Sequence, residues 1–133
     1  MTQQKRILVP LGPTGKDLKS VHYALSLAER LRAQVYILQQ SGRAGFQNQL
    51  SIGMNEALAD LITRARQAGL TVSHHLATGE LSEEMIGMVT AESIDLLVID
   101  ADDEGCEQLV PQVKPLIASP IIQVKEKNHI SYL

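Results

Sequence analysis

Four carboxylates, Asp100, Asp102, Asp103 and Glu104, fall within five positions of the segment IDLLVIDADDEGCEQ, residues 94–108. Clustered carboxylate oxygens are hard donors, suited to Mg2+ or Ca2+ or to a basic group. On this reading Asp100, Asp102 and Asp103 are candidate metal ligands, with a basic group from a partner protein as the other occupant. D-A-D-D lacks the spacing and the closing Glu of an EF-hand loop, so the pattern matches no standard calcium site. The plainer reading is a solvated acidic loop whose charges face water.

Other residues that could do chemistry do not assemble into a motif. GPTGK, residues 12–16, invites comparison with a phosphate-binding P-loop, which needs four residues between its glycines and Ser or Thr after its Lys. Here two residues intervene and Asp17 follows, so a tight strand-to-helix turn is expected. No G-x-G-x-x-G occurs, which disfavours a dinucleotide-binding domain. Lys114-Pro115 is reminiscent of a response-regulator receiver, but a receiver needs acidic residues after its first strand, where this chain has Gly12, Pro13 and Thr14. His74 and His75 are neighbours on an expected strand and point to opposite faces, while His22 and His129 have no partner at ligand spacing. Cys106 is the single cysteine, which excludes an internal disulfide and a thiolate zinc site and fits a reducing compartment. It reads as an incidental loop residue. No Ser-His-Asp or Cys-His set is visible, so no catalytic residues are expected and the protein is not read as an enzyme.

Composition narrows the partners. A net charge of −3 is spread along the 133 residues, and aromatics make up only 3%, so neither a nucleic-acid surface nor a basic membrane patch is expected. No run approaches the roughly 20 apolar residues that cross a bilayer, and a cytoplasmic protein is expected.

These side chains depend for their placement on short apolar runs that alternate with segments of helical period, the pattern of parallel strands covered by helices on both faces. Strands are expected at residues 6–11 (RILVPL), 34–39, 71–77, 95–99 and 120–125. The first helix should bury Leu18, Val21, Ala24, Leu25, Ala28 and Leu31 on one stripe, with Thr14 and Asp17 as a capping box. The second, over residues 55–68, should turn Leu58, Leu61, Ile62 and Ala65 inward and stop at Gly69. The third covers residues 81–93, with Met85, Ile86 and Val89 inward. A fourth, around residues 108–118, is limited by Pro111 and Pro115. Residues 41–53 read as a long loop. Residues 71–77 are polar on one side, with Val72, His74 and Leu76 on the other, as expected of a border strand. The last strand, Ile121, Ile122, Gln123 and Val124, is apolar on both faces and should form the opposite border, where an unpaired backbone invites a second copy of the chain. A homodimer is therefore expected. The domain spans residues 1–127 and a polar tail residues 128–133.

Several segments in order resemble the universal stress protein family. RILVPLGPTGKDLKSVHYALSLAERLRAQVYILQ is similar to the family's opening strand, amphipathic helix and second strand, Gly79-Glu80 to its Gly-Asp turn, IDLLVI to its fourth strand and ASPIIQVK to its closing one. The resemblance covers almost the whole chain. It implies an α/β fold: one three-layer α/β/α sandwich with a five-stranded parallel sheet of order 3-2-1-4-5, Rossmann-like and akin to the adenine nucleotide alpha hydrolases, pairing through its last strand.

The departures bear on function. Members that bind ATP carry an Asp after the first strand and G-x-x-G-x(9)-G-S/T after the fourth. Here the Asp position is Gly12, the first two motif glycines fall on Asp100 and Asp103, and no Gly-Ser or Gly-Thr follows. The connection to Pro120 is about seven residues shorter than the family's usual one. In an open α/β sheet the ligand crevice lies at the carboxyl ends of the strands where strand order reverses, here strands one and four. Carboxylates roughly 4–6 Å from a triphosphate repel it by on the order of 1 kcal/mol per pair even at high effective dielectric. The resulting expectation is a stress-associated regulatory dimer without ATP and with no cofactor. Two alternatives stand beside it: an adenosine or AMP module using Pro10, Leu11, Gly12, Gln40 and Asp100, and a protein-protein adaptor serving a transporter or sensor.

Overall fold

Consecutive apolar residues in β1 (Arg6–Leu11), β2 (Gln34–Gln40) and β4 (Leu96–Asp100) are buried because each strand has helices on both faces. The computed structural model describes residues 4–12, 17–40, 52–103, 106, 108–125 and 130–132. β3 (Val72–Ala77) and β5 (Ile121–Val124) complete a parallel array of order β3-β2-β1-β4-β5. α1 (Lys19–Leu31) and α2 (Ile52–Gln67) cover one face, packing Val21, Ala24, Ala28, Leu58 and Ile62 against Ile7, Val9, Val35, Ile37 and Val98. α3 (Leu81–Ala91) and α4 (Val110–Val113) cover the other, where Leu81, Met85 and Val113 meet Leu8, Leu38, Leu97 and Ile99. Fully burying a Leu or Ile side chain contributes roughly 1.5–3 kcal/mol, so these two apolar layers hold the sheet between them. Gly69, at φ +96°, ends α2 in a conformation that glycine reaches without steric cost. Pro111 lies in the first turn of α4, where its missing N–H costs nothing, and Pro115 falls in a 3-10 turn, Lys114–Leu116, so this helix is shorter than the expected residues 108–118.

The fold class, strand order and three-layer arrangement expected from the sequence are those observed, with four differences. A sixth strand, β6 (Ile130–Tyr132), pairs antiparallel with β5, so Ile121, Ile122, Gln123 and Val124 do not form the sheet border. Its three-residue length, after the polar run of residues 126–129, hid it. Leu31 is 51% exposed rather than buried, because it lies at the end of α1, where that helix runs past the sheet. Leu76, expected inward with His74, is 60% exposed, because β3 is the border strand and its later residues His74 and His75 are exposed too. α1 starts with Leu18 at the N-cap position and no side-chain cap there; Asp17 Oδ1 accepts the Lys19 N–H at 3.1 Å. Thr14, the other half of the expected capping box, lies outside the described residues, as do residues 41–51 of the expected loop, whose last two positions belong to α2.

Candidate functional site

The chain crosses from one side of β1 to the other between β3 and β4, so the strand-order reversal lies between β1 and β4. Their ladder covers only Ile7 with Leu96 and Leu8 with Leu97, and the strands part before their carboxyl ends. Into this gap the loop after β4 turns back. Asp102 donates its N–H to Asp100 Oδ1 at 2.8 Å, Asp103 donates its N–H to the Asp100 carbonyl at 3.2 Å, and Ala101 donates to the Val124 carbonyl at 3.0 Å.

The loop aims two of its carboxylates, those of Asp100 and Asp103, inward. Asp100 and Asp103 are only 3% and 2% exposed, against the expectation of a solvated acidic loop. A carboxylate buried in this way must be paired or hydrogen-bonded. Asp103 Oδ2 accepts the Gly12 N–H at 3.1 Å across the gap. A Cβ on Gly12 would lie 3.0 Å from both Asp103 carboxylate oxygens, so glycine is what lets this carboxylate close against the end of β1. Behind it Cys106, fully buried, places its Sγ 3.5 Å from the Pro10 carbonyl and 3.6 Å from Asp103 Oδ2. Cys106 is therefore a core residue that backs the crevice, not an incidental loop residue.

Lys19 supplies the balancing charge. Its Nζ lies 2.7 Å from Asp100 Oδ1, 3.0 Å from Asp102 Oδ2 and 3.4 Å from Asp17 Oδ1. An ammonium in the first turn of a helix faces the positive end of the helix dipole, an unfavourable place that three carboxylates offset. Burial would lower its pKa, but hydrogen bonds to Asp100 and Asp102 and the Asp100 charge more than compensate, and Lys19 is held charged above its ordinary range. Burial raises the Asp100 carboxyl above its ordinary value; Lys19 and the Asp102 N–H pull it back only in part. The Cys106 thiol is pushed up by burial and then by the Asp103 charge, which keeps it protonated and non-nucleophilic.

Of the expected nucleotide-site residues, Pro10, Leu11, Gly12 and Asp100 meet at this crevice, and all four are buried. Gln40 lies away from it at the end of β2, its Nε2 donating to the Ala77 and Gly79 carbonyls at 3.4 and 3.3 Å. Its neighbour Gln39 joins a polar chain: Gln39 Nε2 donates to Asn55 Oδ1 at 3.1 Å, and His74 Nε2 lies 2.8 Å from Gln39 Oε1. The candidate metal ligands Asp100 and Asp102 point at the Lys19 ammonium, which stands where a cation bridging them would sit. Among the described residues no three His, Cys, Asp or Glu side chains are grouped to hold a metal. A basic group does meet these carboxylates, but it is the chain's own Lys19 and not the expected one from a partner protein. Sequence reading missed Lys19 and the burial of Cys106; the one available signal was a lysine two residues after Asp17, at the start of α1.

No protein-family model matches the sequence, and no curated protein sequence matches it significantly. Solved structures do match in shape. A universal stress protein in complex with cAMP superposes with a TM-score of 0.65 at 17% identity, over 93% of this chain and 98% of that one. A protein of the universal stress protein family from Burkholderia pseudomallei gives 0.63 at 17% identity, over 90% and 95%. The universal stress protein from Archaeoglobus fulgidus in complex with dAMP gives 0.62 at 14% identity, over 92% and 98%. The three-layer architecture of this chain is therefore the one found in universal stress proteins.

Proposed function

We propose that this chain is a universal stress protein-like regulatory protein of the cytoplasm, not an enzyme, that acts without binding ATP. The observation that carries the reading is the closed set of internal pairs at the strand ends. The Gly12 N–H is given to Asp103, and the Lys19 ammonium to Asp100, Asp102 and Asp17. The donors and the cation that a triphosphate would use are thus already taken, by groups of the same charge as the triphosphate itself. The shared shape supports assignment to a stress protein-like role. Such a protein acts by contact, and we place the contact between copies at the β5–β6 border, where the backbone edge of β6 can pair with another chain. Sedimentation equilibrium tests this: a monomer at every concentration removes the dimer.

A second reading is favoured by the relatives in complex with cAMP and dAMP. On it, adenosine or AMP is kept near Pro10, Leu11 and Gln40 with any phosphate left in water. Thermal-shift assays with ATP, AMP and adenosine separate the readings. No shift with any of them is the expected result; stabilisation by AMP and adenosine alone selects the second reading; stabilisation by ATP overturns the first.

A further inference from the structure

The opposite end of the sheet holds a groove that the reading above does not use. It has a volume of about 720 Å³ and is lined by Gln4, Lys5, Ile7, Leu31, Arg32, Asp95 and Leu96, at the amino ends of β1 and β4 and the carboxyl end of α1. This volume lies within the range of about 300–1,000 Å³ typical of small-molecule sites. Its wall is apolar, and Leu31, from the otherwise buried stripe of α1, opens onto it.

The charges around it are unevenly used. Asp95 Oδ2 accepts the Arg6 N–H at 2.9 Å, and Arg6 Nη1 donates to the Glu92 carbonyl. Lys5, Arg32 and Asp95 form no ion pair among the described residues, so the two cations outnumber the one carboxylate in the lining. Arg32 also sits at φ 54°, ψ 46°, a left-handed cap position where glycine is the usual residue. A large cationic side chain thus stands on the rim of an apolar groove at a backbone position that disfavours it.

We infer that the groove binds a small amphipathic anion, an alkyl or aryl carboxylate, with its apolar body against Leu31 and Leu96 and its anionic group between Lys5 and Arg32. Such a ligand would act at the pole opposite the acidic crevice, so the site stands or falls independently of any nucleotide.

The test is an NMR titration of the full chain, methyl-labelled, with octanoate and with 1-octanol as its uncharged counterpart. The expected result is saturable shifts of the Leu31 and Leu96 methyls, with octanol binding at least about tenfold more weakly. Arg32→Gly supplies the second arm. It retains the left-handed cap and should leave the thermal midpoint unchanged or raised, while weakening octanoate by about tenfold. Absence of saturation up to about 5 mM octanoate, shifts confined to other methyls, equal binding of octanol, or full affinity in a folded Arg32→Gly protein would each overturn the assignment.

Discussion

Lys19 holds together three carboxylates that mutual repulsion, and for Asp100 burial, would otherwise disfavour. Replacing it, Lys19→Met, leaves Asp100 buried without its cation, a loss of about 2 kcal/mol near neutral pH. The pH dependence follows from the direction of the Asp100 shift. Burial already lifts this carboxyl above its ordinary 3.8, and removing Lys19 lifts it further. A group whose folded-state pKa is raised binds its proton more tightly when folded, so its contribution is most favourable below the unfolded value and is lost as pH rises through the folded one. The penalty of Lys19→Met should therefore shrink as pH falls toward 3.8, and should largely vanish in an Asp100→Asn background. Urea denaturation of the four proteins between pH 4 and pH 8 measures both effects. A penalty that is the same at every pH and in both backgrounds would mean that Lys19 contributes only packing. Cys106 gives a second expectation at this scale. With its thiol buried and protonated, it should resist a disulfide reagent in the native protein and react fully in guanidinium chloride; stoichiometric labelling of the native state within minutes would contradict the placement. Little of this was legible in the residues. Asp100 and Asp103 stand in a run of acids that composition alone assigns to water, and their burial depends on Lys19 and Gly12, partners remote in sequence that only the strand topology brings into contact.

At the scale of elements, β6 changes the character of the sheet border. It covers the backbone of Ile122, Gln123 and Val124, which would otherwise present unpaired N–H and C=O groups to any extended chain. A protein ending at Lys125 should therefore exchange the dimer proposed through β6 for larger, polydisperse species that pair through the bared edge of β5, and sedimentation velocity over a range of concentrations would show it. Identical sedimentation of the two proteins would mean that β6 protects nothing. The continuous apolar strands β1, β2 and β4 could be placed from sequence because burial on both faces leaves no polar alternation to confuse the reading. β6 escaped for the converse reason, and Leu31 because helical spacing records which side of α1 a residue lies on and not how far the sheet extends beneath it.

The molecule as a whole combines a familiar architecture with a strand-end crevice closed by its own side chains. Strand order and layering were readable from the alternation of apolar runs with helical periods and from the resemblance of successive segments to universal stress proteins. The crevice was readable only in part: its aspartates stood out in the sequence, without the lysine that makes them a closed set. The most direct test is an amide NMR titration of the full chain with MgATP, followed at Gly12, Lys19 and Asp103. The expected result is no saturable shift at these amides up to about 5 mM nucleotide. Saturable shifts at all three, with a dissociation constant below about 100 μM, would show that the internal pairs open for a triphosphate and would contradict the account.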